Sequence, residues 1–335
     1  MQLKVSEWIQ RFERSMLDLS EESFQKLALE LFQLHYAENE IYRKYCNLLE
    51  VNMEQIQRIE DIPFLPISFF KSHQLLLNGM PFELVFSSSG TTGEQTSKHY
   101  LPSIELYKKS FMTAFQHFYG KAEDYHILAL LPSYLEREGS SLVKMVEQLI
   151  ASSDSQYSGF FLKNTSKLEQ VLNTLNERKE KVLLVGVSFA LIDYVEQHKV
   201  LENSNMVVME TGGMKGRRRE MVREELHAIL KQGFKCETIH SEYGMTELLS
   251  QAYSKEEGVF EAPPWMKVLI RKQDDPFSYC SPGITGAINV IDLANVYSCP
   301  FIQTDDLGRM QADGKFEVLG RFDQSDVRGC NLMVV

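Results

Sequence analysis

Cysteine is scarce: Cys46, Cys236, Cys280, Cys299 and Cys330 are five in number, widely scattered, and no two form a CxxC pair. An odd, dispersed set excludes a disulfide framework, gives no zinc-ligand spacing, and fits a reducing cytoplasm. The eight histidines show no metal spacing either. Basic charge is in deficit, with 35 Lys and Arg against 46 Asp and Glu for a net charge of −11, which disfavours non-specific binding to nucleic acid or to an anionic membrane. Long apolar runs are missing. The most apolar stretch, 182–192, is interrupted by Gly186 and Ser188 and is too short to span a bilayer, so it reads as a buried strand entering a helix. The opening MQLKVSEWIQRFERSM carries charges throughout and has none of the apolar core of a signal peptide.

What is there suffices for a large core. Hydrophobic residues make up 44% of the 335, and the 24% of charged residues argues against wholesale disorder. No repeat, low-complexity tract or clear linker divides the chain, so one unit over 1–335 is expected. Residues 1–75 read as a mainly helical part, with apolar residues at helical spacing through Phe24, Leu27, Leu31 and Phe32, until Pro63 and Pro66 force an extended segment. Over 80–250, short apolar runs (84–86, 126–131, 159–162, 182–187, 206–209) alternate with amphipathic stretches (140–151, 166–180, 217–232). That alternation predicts an α/β fold with a largely parallel sheet. Over 255–323 prolines, glycines and short apolar strands predict a more antiparallel, barrel-like section, leaving 324–335 as a tail that carries Cys330.

The strongest local signal is Phe86-Ser87-Ser88-Ser89-Gly90-Thr91-Thr92-Gly93, directly after the strand-like ELVF. Glycines allow close approach of a ligand to the backbone, and successive N–H groups and hydroxyls cradle phosphate oxygens. Lys98 adds a positive charge five residues beyond Gly93. The spacing is not that of a Walker loop, because Gly90 and Gly93 are too close and no Lys-Ser/Thr follows in register. A plain flexible Ser/Gly loop is the alternative.

Four segments, in order, resemble signatures of the adenylate-forming superfamily of acyl- and aryl-CoA ligases, luciferases and adenylation domains. They are SSSGTTG at 87–93, Tyr243-Gly244-Met245-Thr246-Glu247 for YGxTE, Thr304-Asp305-Asp306-Leu307 for TGDL with Asp305 in place of glycine, and Gly320-Arg321-Phe322-Asp323 for GRxD. More narrowly, IPFLPISFFKS (62–72), LLPSYLEREGSSLVKMV (130–146), ETGGMKGR (210–217) and RGCNL (328–332) resemble the LuxE-type acyl-protein synthetases. The resemblance implies the large-domain fold of that superfamily, parallel sheets with flanking helices plus a small β-rich section. It also implies a chain that stops soon after GRxD, without the mobile C-terminal domain and its catalytic lysine.

Site residues follow from the same resemblance. Ser88, Ser89, Gly90, Thr91, Thr92, Gly93 and Lys98 would hold the phosphates of ATP. Thr246 would bond the α-phosphate, and Glu247 would ligate Mg²⁺. Tyr243 and Gly244, with Gly212 and Gly213, would wall the adenine; Asp306 and Arg321 would bond the ribose. Cys330 would accept the acyl group as a thioester, where a small buried hydrophobe is the alternative. Two bland readings compete with these roles: a helix start at YGMTE with Thr246 as its cap, and a simple turn at TDDLG. Asp305 adds a carboxylate near the nucleotide. The segment with Tyr134, Glu136, Arg137 and Ser140 lines the acyl pocket or forms a solvated loop with a helix cap, and His240 stands by the site or serves the fold. The expected activity is ATP-dependent activation of a fatty acid to acyl-AMP, then transfer to Cys330 for delivery to an acyl-reductase or carrier-protein partner, in the cytoplasm. An acyl- or aryl-CoA ligase, a donor to a carrier protein, and a non-catalytic nucleotide-binding scaffold are the alternatives.

Overall fold

A strand buried on both faces needs apolar residues without alternation, and VLLVGV at Val182–Val187 supplies them. It lies between two parallel neighbours that are largely apolar, HILAL at His126–Leu130 and MVVMET at Met206–Thr211. The computed structural model describes residues 2–88, 95–132, 139–212, 218–219 and 221–321. In chain order its helices and strands begin with α1 (Gln2–Ser15), α2 (Glu21–Glu38), α3 (Glu40–Leu48), β1 (Leu65–Pro66) and α4 (Phe69–Ser72). There follow β2 (Leu84–Ser87), β3 (Lys98–Leu101), α5 (Glu105–Tyr119), β4 (His126–Leu130), α6 (Ser141–Ser152), β5 (Gly159–Phe160) and α7 (Thr165–Glu177). Next come β6 (Val182–Val187), α8 (Ser188–Gln197), β7 (Met206–Thr211), α9 (Arg223–Phe234) and β8 (His240–Tyr243). The chain continues through β9 (Ala252–Ser254), β10 (Val259–Glu261), β11 (Met266–Arg271), β12 (Thr285–Asp292), β13 (Phe301–Met310) and β14 (Phe316–Arg321).

Among the described residues one sheet runs β11-β12-β13-β14-β10-β9-β8-β7-β6-β4-β5, with β1 beside β13. The strands β5, β4, β6, β7 and β8 are parallel to one another, and from β9 onward the pairings along this path are antiparallel. The antiparallel section expected near the C-terminus is therefore present, and it is built onto the edge of the parallel sheet through β8 and β9 rather than standing as a separate sheet. The run at 84–86 is also a strand, but among the described residues β2 pairs with β3 alone, as a two-stranded antiparallel ribbon off the main sheet. Helix α9 begins at Arg223, later than the amphipathic pattern from residue 217 suggests.

The N-terminal helices are tied to the turn between β12 and β13. Asn39 caps α3 by accepting from Tyr42 N–H (3.1 Å) and donates to Ser298 O (2.9 Å), while His35 Nε2 lies 3.0 Å from Val296 O. Beside that turn a buried network crosses the layers. Trp265 Nε1 donates to Ser110 Oγ (3.1 Å) and Ser250 Oγ (3.0 Å), and the Ser250 hydroxyl donates to Asp292 (2.6 Å). Among the described residues no helix is long and apolar enough to cross a membrane. The four described cysteines are free.

Candidate functional site

Parallel strands end together, and the loops after their carboxyl ends form a crevice suited to ligands. Here β4, β6, β7 and β8 end at Leu130, Val187, Thr211 and Tyr243, so the segments after 130, 211 and 243 leave the same edge of the sheet. The last of these is Gly244 to Ser250, which forms neither helix nor strand. The helix start that YGMTE offers by sequence is not taken. Gly244 has a steric reason, since a Cβ there would collide with Glu242 Oε1, and that carboxylate is held in place by the Thr211 hydroxyl (2.8 Å).

Glu247 is almost fully buried and receives a hydrogen bond from Ser97. Burial pushes its carboxyl above the ordinary range, against the lowering effect of Ser97 and of Arg321. Asp306 lies close enough to add to that rise. It stands in β13 directly opposite Arg321 of β14, with Arg321 Nε 3.6 Å from its Oδ1. Burial also raises Asp306, opposed by the Tyr243 hydroxyl, which donates to its Oδ2 (2.8 Å). TDDLG is thus strand, not turn, because β12 and β14 pair with it on both sides. Tyr243 is nearly buried, with its ring edge-on to Phe260 and Phe316 (both ring pairs 5.9 Å) and its hydroxyl on Asp306.

Ser88 and Ser97 close the neck of the phosphate-type loop: Ser97 N–H donates to Ser88 Oγ (2.9 Å) and Ser88 N–H to Ser97 O (3.1 Å). The Ser88 hydroxyl therefore has a structural partner. Ser87 N–H donates to Gly139 O (2.8 Å), and Gly139 has φ +81 with its missing Cβ facing Ser87 Oγ, so the chain after β4 is pressed against the base of this loop. Lys98 is exposed and, by strand alternation, on the face of the ribbon opposite Ser97 and His99; it does not join the Glu247 cluster. Gly212 follows β7 with φ +44. Ser140 caps α6 by accepting from Val143 N–H (3.4 Å). His240, at the opposite end of β8 from the crevice, pairs with the Tyr119 hydroxyl (3.1 Å) and is pushed down to about 4 by burial, which makes it part of the fold. Ser89, Gly90, Thr91, Thr92, Gly93, Tyr134, Glu136, Arg137, Gly213, Phe322, Asp323 and Cys330 lie outside the described residues.

Sequence reasoning missed several groups that build this place. Asp292 is buried and accepts from the N–H groups of Leu249 (2.7 Å) and Ser250 (3.0 Å), fixing the exit of the 244–250 loop. His99 and Asn295 reach the main chain of Thr246 and Glu247 from elsewhere in the sequence. For a metal, the donor set is informative: among the described residues no three His, Cys, Asp or Glu groups form a cage. A single buried carboxylate with a hydroxyl beside it fits Mg²⁺ arriving with phosphates, since that ion uses one or two carboxylates plus phosphate oxygens.

Residues 10–335 match the family model described as acyl-protein synthetase, LuxE. A long-chain-fatty-acid–luciferin-component ligase of Vibrio harveyi is 26% identical over 329 residues, covering 90% of this chain and 84% of the relative. A protein of the same description from Photorhabdus luminescens is 42% identical over 77 residues, 23% of this chain and 66% of the relative. Among solved structures, a 2-hydroxyisobutyryl-CoA ligase in complex with 2-HIB-AMP and CoA superposes with a TM-score of 0.68 at 12% identity, covering 93% of this chain and 71% of that one. ATP-bound MatB from Rhodopseudomonas palustris gives 0.55 at 17% identity over 73% of this chain, which spans about half (49%) of the length of that MatB. The fold is that of the adenylate-forming enzymes.

Proposed function

Since the chain belongs to the LuxE family of acyl-protein synthetases and is a ligase, we propose that it activates a long-chain fatty acid with ATP to acyl-AMP and passes the acyl group to Cys330. The observation that supports this best is the convergence of Glu247, Asp306, Tyr243 and Arg321 at the carboxyl edge of the sheet, beside the neck of the 88–97 loop. Attack of a carboxylate oxygen on the α-phosphorus forms one O–P bond and expels pyrophosphate. The barrier is largely repulsion between negative groups, so positioned donors and cations lower it. The hydroxyl of Thr246 meets the α-phosphate, Asp306 and Arg321 hold the ribose, and Gly212 and Gly213 bring main chain to the adenine. Glu247 holds the Mg²⁺ that accompanies ATP, which neutralises phosphate charge. The loop at 89–93 supplies further donors to the phosphates.

In the second step the Cys330 thiolate attacks the acyl carbonyl; the C–S bond forms, the mixed-anhydride C–O bond breaks and AMP leaves. Of the described thiols, Cys46 and Cys299 are pushed up to about 12 by burial and make poor acceptors. The names of the relatives, which join a long-chain fatty acid to a luciferin component, support a long-chain fatty acid as substrate. Incubation with Mg-ATP and radiolabelled fatty acid is expected to label the wild type with a hydroxylamine-labile acyl group. Cys330→Ala is expected to lose the label while pyrophosphate is still released. Undiminished label on Cys330→Ala would contradict the acceptor.

The raised carboxyls set a pH dependence. Glu247 and Asp306 act ionised, and burial makes each hold its proton above the ordinary value (4.5 for glutamate, 3.8 for aspartate). Stability from these groups is therefore full below the unfolded values and lost as pH rises through the folded ones. Activity runs the other way, and the acid limb of kcat/KM is expected above the ordinary carboxylate range. A pH–rate profile checks this; a limb at or below 4.5 would contradict it.

A further inference from the structure

We propose that His99 and Asn295 are positioning residues for the adenylation step, locking the main chain of Thr246 and Glu247 to the return strand of the 88–97 loop and so fixing where the Glu247 carboxylate stands. The inference rests on the adenylating reading of this site. The Thr246–Glu247 segment has no strand or helix to satisfy its carbonyls. His99 Nδ1 lies 2.8 Å from Thr246 O, and Asn295 Nδ2 donates to Glu247 O at 2.8 Å. Two consecutive carbonyls thus each meet a side chain, and those two side chains lie against each other, with His99 Nε2 3.0 Å from Asn295 Oδ1.

The bridge has little freedom. Asn295 Nδ2 donates also to Cys299 O (2.9 Å), so both its hydrogens are used and a flipped amide would turn its oxygen onto two carbonyls. Both residues are fully buried, and the His99 ring packs edge-on to Phe70 (5.6 Å). Both ring nitrogens of His99 face acceptors. One N–H satisfies one contact, and the second N–H comes only with a charge that burial disfavours, pushing the ring down to about 4. An apolar residue would suit this buried strand position better on packing grounds alone. The imidazole is placed to reach chain 147 and 196 residues away.

Ser97 gives the bridge its consequence. It is on the same face of β3's chain as His99, bonds the Glu247 side chain, and closes the loop neck on Ser88. The strand that leaves the phosphate loop therefore grips both the backbone and the carboxylate of the Mg²⁺-directed turn. Supporting groups around a metal carboxylate typically change metal affinity or activity by about 10- to 100-fold.

The test is fatty-acid-dependent ATP–pyrophosphate exchange, titrated with Mg²⁺, for the wild type, His99→Leu and His99→Asn, with urea unfolding of each. Leucine fills the space without a donor; asparagine keeps an N–H for Thr246 O. The expected result is that His99→Leu needs about tenfold or more Mg²⁺ for half-maximal exchange and that His99→Asn recovers most of the difference. The inference is overturned if His99→Leu keeps the wild-type Mg²⁺ dependence, or if both variants lose activity only in step with lost stability. Should His99→Leu not fold, His99→Asn against His99→Ser carries the same comparison, with the serine variant expected to show the raised Mg²⁺ requirement. A wild type without exchange for any fatty acid would overturn the adenylating reading itself, whatever the variants do.

Discussion

Glu247→Gln is expected to lower fatty-acid-dependent pyrophosphate release by about a hundred- to a thousand-fold, with the folded protein retained. The substitution keeps size and the capacity to accept from Ser97, and removes only the charge. The carboxylate is costly in the apo protein, because burial and the neighbouring Asp306 both oppose its ionisation. A glutamine should therefore be tolerated by the fold, or even stabilise it slightly above neutral pH, while the Mg-nucleotide loses its protein anion. Steady-state assay of pyrophosphate at saturating Mg²⁺, with an unfolding curve for each protein, separates the effects. Activity within a few-fold of wild type would remove Glu247 from the chemistry.

Asp292→Ala is expected to destabilise the protein by about 3–5 kcal/mol, because a buried donor left without an acceptor costs about 1–3 kcal/mol and several are orphaned at once. Asp292 is fully buried and accepts from the N–H groups of Leu249, Ser250 and Ala294 (2.7, 3.0 and 3.1 Å) and from the Ser250 hydroxyl (2.6 Å). The loss would spread to Trp265, whose Nε1 donates to that same hydroxyl. Asp292→Asn retains one acceptor oxygen and the shape, and should cost distinctly less, the more so because burial already raises the Asp292 carboxyl. Urea midpoints for the two variants check the order. Equal, small shifts would mean that water takes over these donors.

The sequence made the parallel half legible because burial on both faces demands uninterrupted apolar runs, and such runs stand out at 126–131, 182–187 and 206–209, inside or beside the strands observed there. Pairing was less readable. ELVF looks like any other core strand, yet β2 pairs with β3 away from the main sheet, because pairing is decided by tertiary contacts rather than by propensity. The Asp-rich TDDLG resembles a turn by composition and is strand because neighbours on both sides take its backbone groups. Thr246, Glu247, Asp306 and Arg321 were visible because they sit in ordered motifs. Ser97, His99, Asp292 and Asn295 were not, since each works through a partner distant in sequence and no spacing rule reports such a contact. Tyr243 stands out in the sequence as a candidate site residue, but its hydrogen bond to Asp306 depends on a strand pairing that only the fold reveals.

The most direct measurement is ATP–pyrophosphate exchange by the purified protein with Mg²⁺ and a series of fatty acids of increasing chain length. Exchange is expected to depend strictly on added acid, to be greatest with a long chain, and to persist in Cys330→Ala, because the first half-reaction does not need the thiol. Absence of acid-dependent exchange with every acid, in a protein that still binds ATP, would contradict acyl-adenylate formation.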